Sequence, residues 1–199
     1  MAKRAAPEVN AGSMADIAFL LLIFFLVTTT IETDSGISRK LPPPQPEDAP
    51  PPPEIKMKNV FQVLVSRDDR LLVEDELMEL KDVRNAAIAF LDNNGDSSCK
   101  YCKGSKEFDS SDNPEKAVIS LNNDRETSYS TYISVQNELV AAYTTLRNRE
   151  AKRLYNRSFE EMEADYGNLN HPENKDKLKE KIKIVKNLFP EKLSEAEAK

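Results

Sequence analysis

Apolar residues are distributed unevenly along the chain, with one sustained run near its beginning. Residues 17–27 carry no charge and consist almost wholly of Leu, Ile, Phe and Val. Small and weakly polar residues flank the run, so the pattern predicts a helix over residues 11–31, about 30 Å long, which matches the hydrocarbon thickness of a bilayer. The predicted span holds one charged residue, Asp16, so it crosses a bilayer only if that carboxyl group is accommodated.

Two other interpretations of the run were weighed against a membrane span. Lys3 and Arg4 precede it, as in a secretory signal peptide, but the run ends at Thr28 and Thr29 without the small-residue cleavage pattern. A helix buried in a globular core would be striped rather than apolar all round, and the sequence offers no second apolar segment to cover it. The pattern therefore favours a span.

After residue 54 the pattern changes to short apolar stretches, which predict a folded outer domain over residues 54–199. β-Branched stretches predict strands, and apolar residues at helical spacing predict helices. The order ββαβα is typical of an α+β fold with a mixed sheet and helices packed on one face. The fold class predicted is a single transmembrane helix plus a small α+β domain. The predicted strands are 59–65, 71–73 and 117–121, and the predicted helices are 79–92 and 130–157.

Two further segments enlarge this domain. Residues 92–116 form a polar insertion, and residues 172–199 form a C-terminal helical extension. Within the extension, apolar spacing predicts a helix at 173–188 and a short edge strand at 192–196. The apolar face of that helix either packs on the sheet of its own domain or docks a partner.

A proline-rich linker joins the predicted span to the domain and covers residues 32–53. Eight of the twelve prolines lie in residues 41–53. Because proline fixes φ, this stretch favours an extended polyproline II conformation of about 3.1 Å per residue, or roughly 40 Å in all. It serves either as a passive spacer or as a stiff element that transmits force.

Flanking charge gives the orientation of the span. Lys3 and Arg4 lie before it, whereas Glu32 and Asp34 follow it. Lys and Arg prefer the cytoplasmic side of a membrane. We therefore expect residues 1–10 to be cytoplasmic and the rest of the chain beyond the span to lie outside.

Composition excludes several classes of function. The formal net charge of −6 argues against a nucleic-acid-binding protein, which is usually basic. The chain has one histidine, His171, and five glycines, and shows no nucleophile, phosphate-loop or metal motif, so neither an enzyme nor a cofactor is predicted. Asp92, Asn94 and Asp96 mimic the start of a calcium loop, but its twelfth position is Lys103 rather than Glu.

The two cysteines lie in the insertion, as Cys99 and Cys102. A structural zinc site needs four ligands, and a catalytic Cys-x-x-Cys would follow a thioredoxin-like βαβ pattern, which this sequence lacks. In an oxidising compartment a local disulfide between them is the expected outcome.

Asp16 is the candidate functional residue. A buried aspartate costs about 2.5–3.5 kcal/mol at the centre of a membrane helix, and an anchor has no need of it. Snorkelling or helix capping would explain it without function, but the side chain is short for the roughly 7–8 Å that separate it from the helix start. Hydrocarbon disfavours the charged form of a carboxyl group, so such a residue can load a proton from one side and release it to the other.

A proton path needs more than one helix, because a lone helix would leave Asp16 against lipid. Gly12, one turn before it, would let another helix approach closely. Asn10 and Ser13 could donate hydrogen bonds near the entrance, although both are also ordinary residues for a helix start. The partner is expected to be another chain, either a second copy or a protein with several spans.

Residues 9–17 resemble the start of proteins of the ExbD/TolR family. That family shows Asn, five residues, the membrane Asp and then a Leu/Ile/Phe-rich span, and Asn10 and Asp16 match this spacing. Ser13 stands where the family often has Pro. The order of parts is also similar: a short basic N-terminus, one span, a Pro-rich linker and a small outer domain.

The resemblance implies a fuller function. Two copies of such a chain would sit in a pentamer of an ExbB-like polytopic protein of the bacterial inner membrane, and proton flow through Asp16 would drive motion. A periplasmic outer domain would pass that motion to a TonB-like partner for outer-membrane transport, or to a TolA-like partner for envelope integrity. Leu41 and Pro42 resemble an element that pairs with the outer domain in this family. A passive membrane-tethered binding module is the alternative.

Overall fold

The computed structural model describes residues 11–28, 55–168 and 174–197. The chain divides into two compact units, Met1–Pro51 and Pro52–Lys199. In the first unit, helix α1 covers Ala11–Thr28. The predicted span is longer, and its last three residues lie outside the described part of the chain.

Helix α1 is shorter than the predicted span. Its 18 residues extend for about 27 Å, against about 30 Å for the hydrocarbon core of a bilayer. Across the ranges that the structure describes, no helix reaches the combined length and hydropathy of a membrane span.

The second unit is built on a mixed sheet, as predicted, with five strands where four were expected. Its strand order is β3-β2-β1-β4-β5. Strand β4 pairs in parallel with both β1 and β5, whereas β1–β2 and β2–β3 are antiparallel. The strands are β1 (Val60–Val65), β2 (Leu71–Val73), β3 (Glu76–Met78), β4 (Val118–Asn123) and β5 (Leu193–Glu197).

Four helices accompany the sheet, and two of them cover one of its faces. They are α2 (Leu80–Asp92), α3 (Tyr129–Tyr155), α4 (Phe159–Gly167) and α5 (Lys175–Leu188). Alternate residues of β1 and β4, such as Val63 and Leu121, are fully buried against apolar residues of α2 and α3, such as Leu91 and Leu139. The period-two alternation of the strands and the apolar stripes of the helices thus produce the predicted core.

Helix α5 of the C-terminal extension packs on other helices, whereas β5 of the same extension joins the sheet. The buried α5 residues Leu178, Ile182 and Val185 contact Phe159 and Met162 of α4 in a second apolar cluster. The predicted packing of this helix on its own sheet is therefore wrong, and its apolar face is covered within its own domain. Helix α4 was not predicted from the sequence. Its Phe159 and Met162, together with Ala151 of α3, form the apolar surface that α5 covers.

Helix α3 ends two residues earlier than predicted because of its C-cap. Asn156 has a φ of 55°, in the left-handed region that ends a helix, and its amide N–H donates to the Lys152 carbonyl. Ser158 then begins α4 with a capping box that includes Glu161. The chain therefore turns back at once, which places α4 beside α3.

Candidate functional site

The first candidate site is the carboxyl group on α1. Asp16 lies five residues after the first residue of the helix, about 7–8 Å along its axis, and is its only charged residue. Gly12 is four residues before it and Leu20 four residues after it, so all three lie on one face. Ser13 lies one residue further along from Gly12, beside that face. Asn10 lies outside the described residues.

The surroundings of Asp16 on α1 are apolar and exposed. The eleven large apolar side chains of the helix have exposed fractions between 42% and 75%. Because they point in every direction round the helix, α1 has no polar face to turn toward water. Asp16 is therefore one carboxyl group on a helix whose large exposed side chains are apolar on every side. The large apolar residues are Met14, Ile17, Phe19, Leu20, Leu21, Leu22, Ile23, Phe24, Phe25, Leu26 and Val27.

The other predicted site residues fall into two groups. Leu41 and Pro42 lie outside the described residues, so their pairing with the outer domain is untested. Cys99 and Cys102 form the predicted local disulfide. In the described ranges, no group of three or more His, Cys, Asp or Glu side chains is placed to hold a metal ion.

The polar insertion is a packed loop that is held by internal hydrogen bonds. Asn93 is buried, and its side-chain amide donates to the carbonyls of Glu107 and Ser111 at 2.8 Å each while accepting from the Glu107 N–H. Asn59, just before β1, accepts from the Asp112 N–H at 2.7 Å. These bonds add to backbone pairs across the loop, such as the Gly95 N–H to the Ser111 carbonyl at 2.9 Å, and together they keep its buried polar groups satisfied.

Two carboxylates of the insertion are held in their charged form. The hydrogen bond and charge of Lys58 lower the pKa of the buried Asp112. Hydrogen bonds from Ser98, together with Lys116, lower the pKa of Asp96. Both carboxylates therefore stay ionised at physiological pH and tie the loop to β1 and to the residues before β4.

The insertion also contains a glycine that cannot be replaced without displacing the backbone. A Cβ on Gly104 would lie 2.4 Å from the Asp92 carbonyl oxygen and 2.6 Å from Asn93 Cα. We expect Gly104→Ala to destabilise the domain by about 1–3 kcal/mol, as overpacking usually does. Thermal unfolding measures this. Gly167→Ala is the control, because nothing lies within 4 Å of its added Cβ, and it should leave the midpoint unchanged or slightly raised. Equal midpoints for both variants would refute the prediction.

A second buried arrangement joins the insertion to the C-terminal extension, and we call it the clasp: Tyr101, Arg147 and Phe189. The Tyr101 hydroxyl donates to the Leu188 carbonyl at 2.7 Å, and its ring packs edge-on against Phe189 with centroids 5.5 Å apart. Arg147 donates to the Phe189 carbonyl through both Nε and Nη2, at 3.1 and 2.9 Å. The turn between α5 and β5 is therefore held from two sides.

Charged residues on α3 support the clasp. Arg149 bonds both oxygens of Asp92 at 2.6 and 2.8 Å and also donates to the Tyr101 carbonyl at 3.4 Å. Glu150 is fully buried and accepts from Arg149 and Arg153. Each of these buried carboxylates thus has an arginine partner, which offsets the free-energy cost of removing the charge from water.

The clasp was not predicted from the sequence, although one signal pointed to a buried charge near it. The apolar stripe of α3 runs through Tyr143 and Leu146, and the next stripe position is Glu150. A charged residue on an apolar stripe needs a buried partner of opposite charge. Nothing in the pattern identified Tyr101 or Phe189 as neighbours, because they are far from α3 in sequence.

Tyr143, beneath the clasp, makes stability sensitive to alkaline pH. Burial raises the pKa of Tyr143 to about 12, against about 10 for a tyrosine in the unfolded chain. Its contribution is therefore fully present below pH 10 and lost as the pH rises from 10 to about 12. We expect the free energy of unfolding to fall by up to about 2–3 kcal/mol over that window. Denaturant unfolding at a series of pH values measures this, and Tyr143→Phe should flatten the profile. An equally steep profile for Tyr143→Phe would contradict the assignment.

Comparison with known protein families finds a match over most of the chain. The family model described as biopolymer transport protein ExbD/TolR matches residues 2–149. The match includes α1 with Asp16, the sheet up to β4 and most of α3, whereas α4, α5 and β5 lie beyond it. No curated protein matches the chain.

Proposed function

The chain belongs to the ExbD/TolR family of biopolymer transport proteins, and on that premise we propose that it is an ExbD-like subunit of a motor driven by the proton-motive force. The family's members are transport motor subunits and not enzymes. In this proposal the motor energises TonB-dependent transport across the outer membrane, and Asp16 carries the protons.

The observation that supports this proposal most strongly is the character of α1. One carboxyl group stands on a helix whose large apolar side chains are exposed all round, and this helix lies in the segment matched by the family. A helix that served only as an anchor would be better without the carboxyl group, since a charge at membrane depth costs free energy.

The proposed mechanism follows from the two states of Asp16. Protonated, the residue is neutral and α1 tolerates an apolar neighbour; ionised, it needs polar groups or water. Loading a proton from the periplasmic side and releasing it to the cytoplasm would therefore change which neighbours the helix prefers. Motion and proton transfer are then coupled through one group, because each state favours a different packing.

The proposed assembly places α1 in the bacterial inner membrane, with residues 1–10 in the cytoplasm and the second unit in the periplasm. Two copies of α1 would lie inside a pentamer of an ExbB-like polytopic protein. Gly12 supports close packing there, because it leaves room for another backbone on the same face as Asp16. Asn10 and Ser13 would line the entrance to the path.

The second unit would receive the motion through the linker and pass it on. We propose a TonB-like protein that spans the periplasm as its partner, with a TolA-like protein as the alternative. The linker at residues 32–53 is rich in proline, and a stiff segment transmits displacement better than a flexible one. Leu41 and Pro42 would pair with the outer domain and control how freely it moves.

Complementation tests the function. The chain is produced together with the ExbB-like protein of its own source, in cells deleted for their ExbD and TolR proteins. Restored uptake of a TonB-dependent substrate supports the ExbD-like role. Restored detergent resistance without uptake replaces it with the TolR-like role. If membrane levels are normal and neither phenotype returns, the motor proposal fails and a passive tether is the better description.

A further inference from the structure

The disulfide in the insertion is placed where reagents can reach it. Cys99 and Cys102 are the two cysteines of the whole chain, and both are half-buried rather than sealed in the core. A shallow groove of about 300 Å³ is lined by Cys99 together with Ser98, Asn113 and Pro114. A small dithiol can therefore approach the disulfide from the Cys99 side without unfolding of the domain.

One end of the four-residue ring closed by the disulfide is fixed independently of the sulfur atoms. The side chain of Asn94 accepts from the Cys99 N–H at 2.8 Å and donates to the Cys99 carbonyl at 2.9 Å. Downstream, Gly104 is tied by its N–H to the Asp92 carbonyl at 3.0 Å. Between these two anchors, the disulfide is the covalent link that restrains Cys102 and the backbone of Tyr101, in addition to the hydrogen bond from Arg149 to the Tyr101 carbonyl.

Tyr101 connects the disulfide ring to the C-terminal extension. It is the one member of the clasp that belongs to the disulfide ring, and it contacts Leu188 by a hydrogen bond and Phe189 by its ring. Phe189 is fully buried, and four residues later the chain enters β5. There the Ile119 N–H donates to the Lys192 carbonyl at 2.9 Å, which starts the pairing of β4 with β5.

We propose that the Cys99–Cys102 disulfide is a redox-modification site for an external dithiol, and that its reduction loosens the attachment of β5 to the sheet. The substrate class is a dithiol oxidoreductase or a small dithiol that enters along the groove. Oxidised, the ring holds Tyr101 against the turn between α5 and β5. When the disulfide is reduced, the segment between Cys99 and Gly104 gains conformational freedom. The hydrogen bonds of Arg147 to the Phe189 carbonyl remain, whereas Tyr101 is held less firmly against the turn.

The dithiol supplies the two electrons and two protons that reduction of the protein disulfide requires. One thiolate of the dithiol attacks one Sγ of the protein, the Cys99–Cys102 bond breaks, and the other cysteine leaves as a thiolate that takes up a proton. The second thiol of the reagent then attacks the mixed disulfide and releases the remaining cysteine as a thiol. Two electrons and two protons pass from the dithiol to the protein, and the dithiol becomes a disulfide.

Hydrogen exchange on the full-length chain in detergent tests the proposal, with dithiothreitol as the dithiol. Alkylation counts the free thiols. Because the chain has two cysteines, two free thiols after treatment mean that the Cys99–Cys102 disulfide is reduced. We expect reduction under native conditions, with exchange of the β5 amides and of Ile119 faster by about fivefold or more and that of β1–β2 unchanged. Resistance of the disulfide until the domain unfolds overturns the site, and reduction without faster β5 exchange overturns the coupling.

Two variants separate the clasp from a general loss of stability. Tyr101→Phe keeps the ring but removes the bond to Leu188, so β5 exchange should already be faster in the oxidised protein and should change less on reduction. Tyr129→Phe, at an exposed tyrosine on α3, is the matched control and should respond to reduction like the unaltered chain. Equal responses to reduction in Tyr101→Phe and in the unaltered chain would overturn the assigned route through Tyr101.

Discussion

Asp16→Asn is expected to reduce energised transport to the background level while the protein accumulates normally in the membrane. The amide has nearly the shape of the carboxyl group, so the helix should still insert and assemble. It cannot take up or release a proton at physiological pH, and the proposed cycle has no other titratable group on α1. The measurement is the complementation assay, with membrane levels checked by immunoblot.

Two controls make the result specific. Asp16→Glu keeps a titratable group one methylene further from the helix axis, so it should retain part of the activity. Val27→Ile, about three turns later, keeps the apolar character of α1 and should retain nearly all of it. Full transport by Asp16→Asn would show that Asp16 carries no essential proton, and α1 would then be an anchor.

Arg147→Ala is expected to cause the largest loss of stability in the outer domain, about 3–5 kcal/mol. Arg147 is buried and donates to the Phe189 carbonyl twice and to Glu191 once. Its guanidinium also lies within 6 Å of the ring centroids of Tyr143 and Phe159, so it joins the two apolar clusters. Truncation leaves a buried carbonyl without these donors and opens a cavity, and both effects are costly. Urea unfolding monitored by circular dichroism gives the free energy.

Arg84→Ala is the matched control for that measurement. Arg84 also makes two hydrogen bonds from a helix, to Glu138 at 2.8 and 3.1 Å, but its side chain is 45% exposed. Solvent-exposed ion pairs contribute about 0–1 kcal/mol, so this variant should unfold close to the unaltered protein. Similar losses in the two variants would mean that Arg147 acts as an ordinary surface residue.

The fold was largely predictable because its core follows local patterns. Strands 60–65, 71–73 and 118–123 and helices 80–92 and 129–155 all lie within two residues of their predicted ends. Strand β3 was not predicted, since Glu76–Met78 is short and shows no apolar alternation. The packing of α5 on α3 and α4 was not predicted, because periodicity shows that a helix has an apolar face but not which element covers it.

The candidate sites also differ in whether a local sequence pattern reveals them. Asp16 could be found from the sequence because a carboxyl group is unexpected within an apolar run. The disulfide could be found because the two cysteines lie three residues apart. The clasp could not, because Tyr101, Arg147 and Phe189 meet only through the tertiary fold. Each of these three is unremarkable among its own sequence neighbours.

The parallel pairing of β4 with β5 has a consequence for how the domain folds. Strand β4 ends at residue 123 and β5 begins at residue 193, and α3, α4 and α5 lie between them. The loop-closure entropy of this distant contact must be overcome before the pairing contributes any stability, so high contact order should make completion of the sheet a late step in folding. Until β5 arrives, the edge of β4 offers unpaired backbone groups to other chains. The extension should therefore also protect the newly synthesised domain against aggregation.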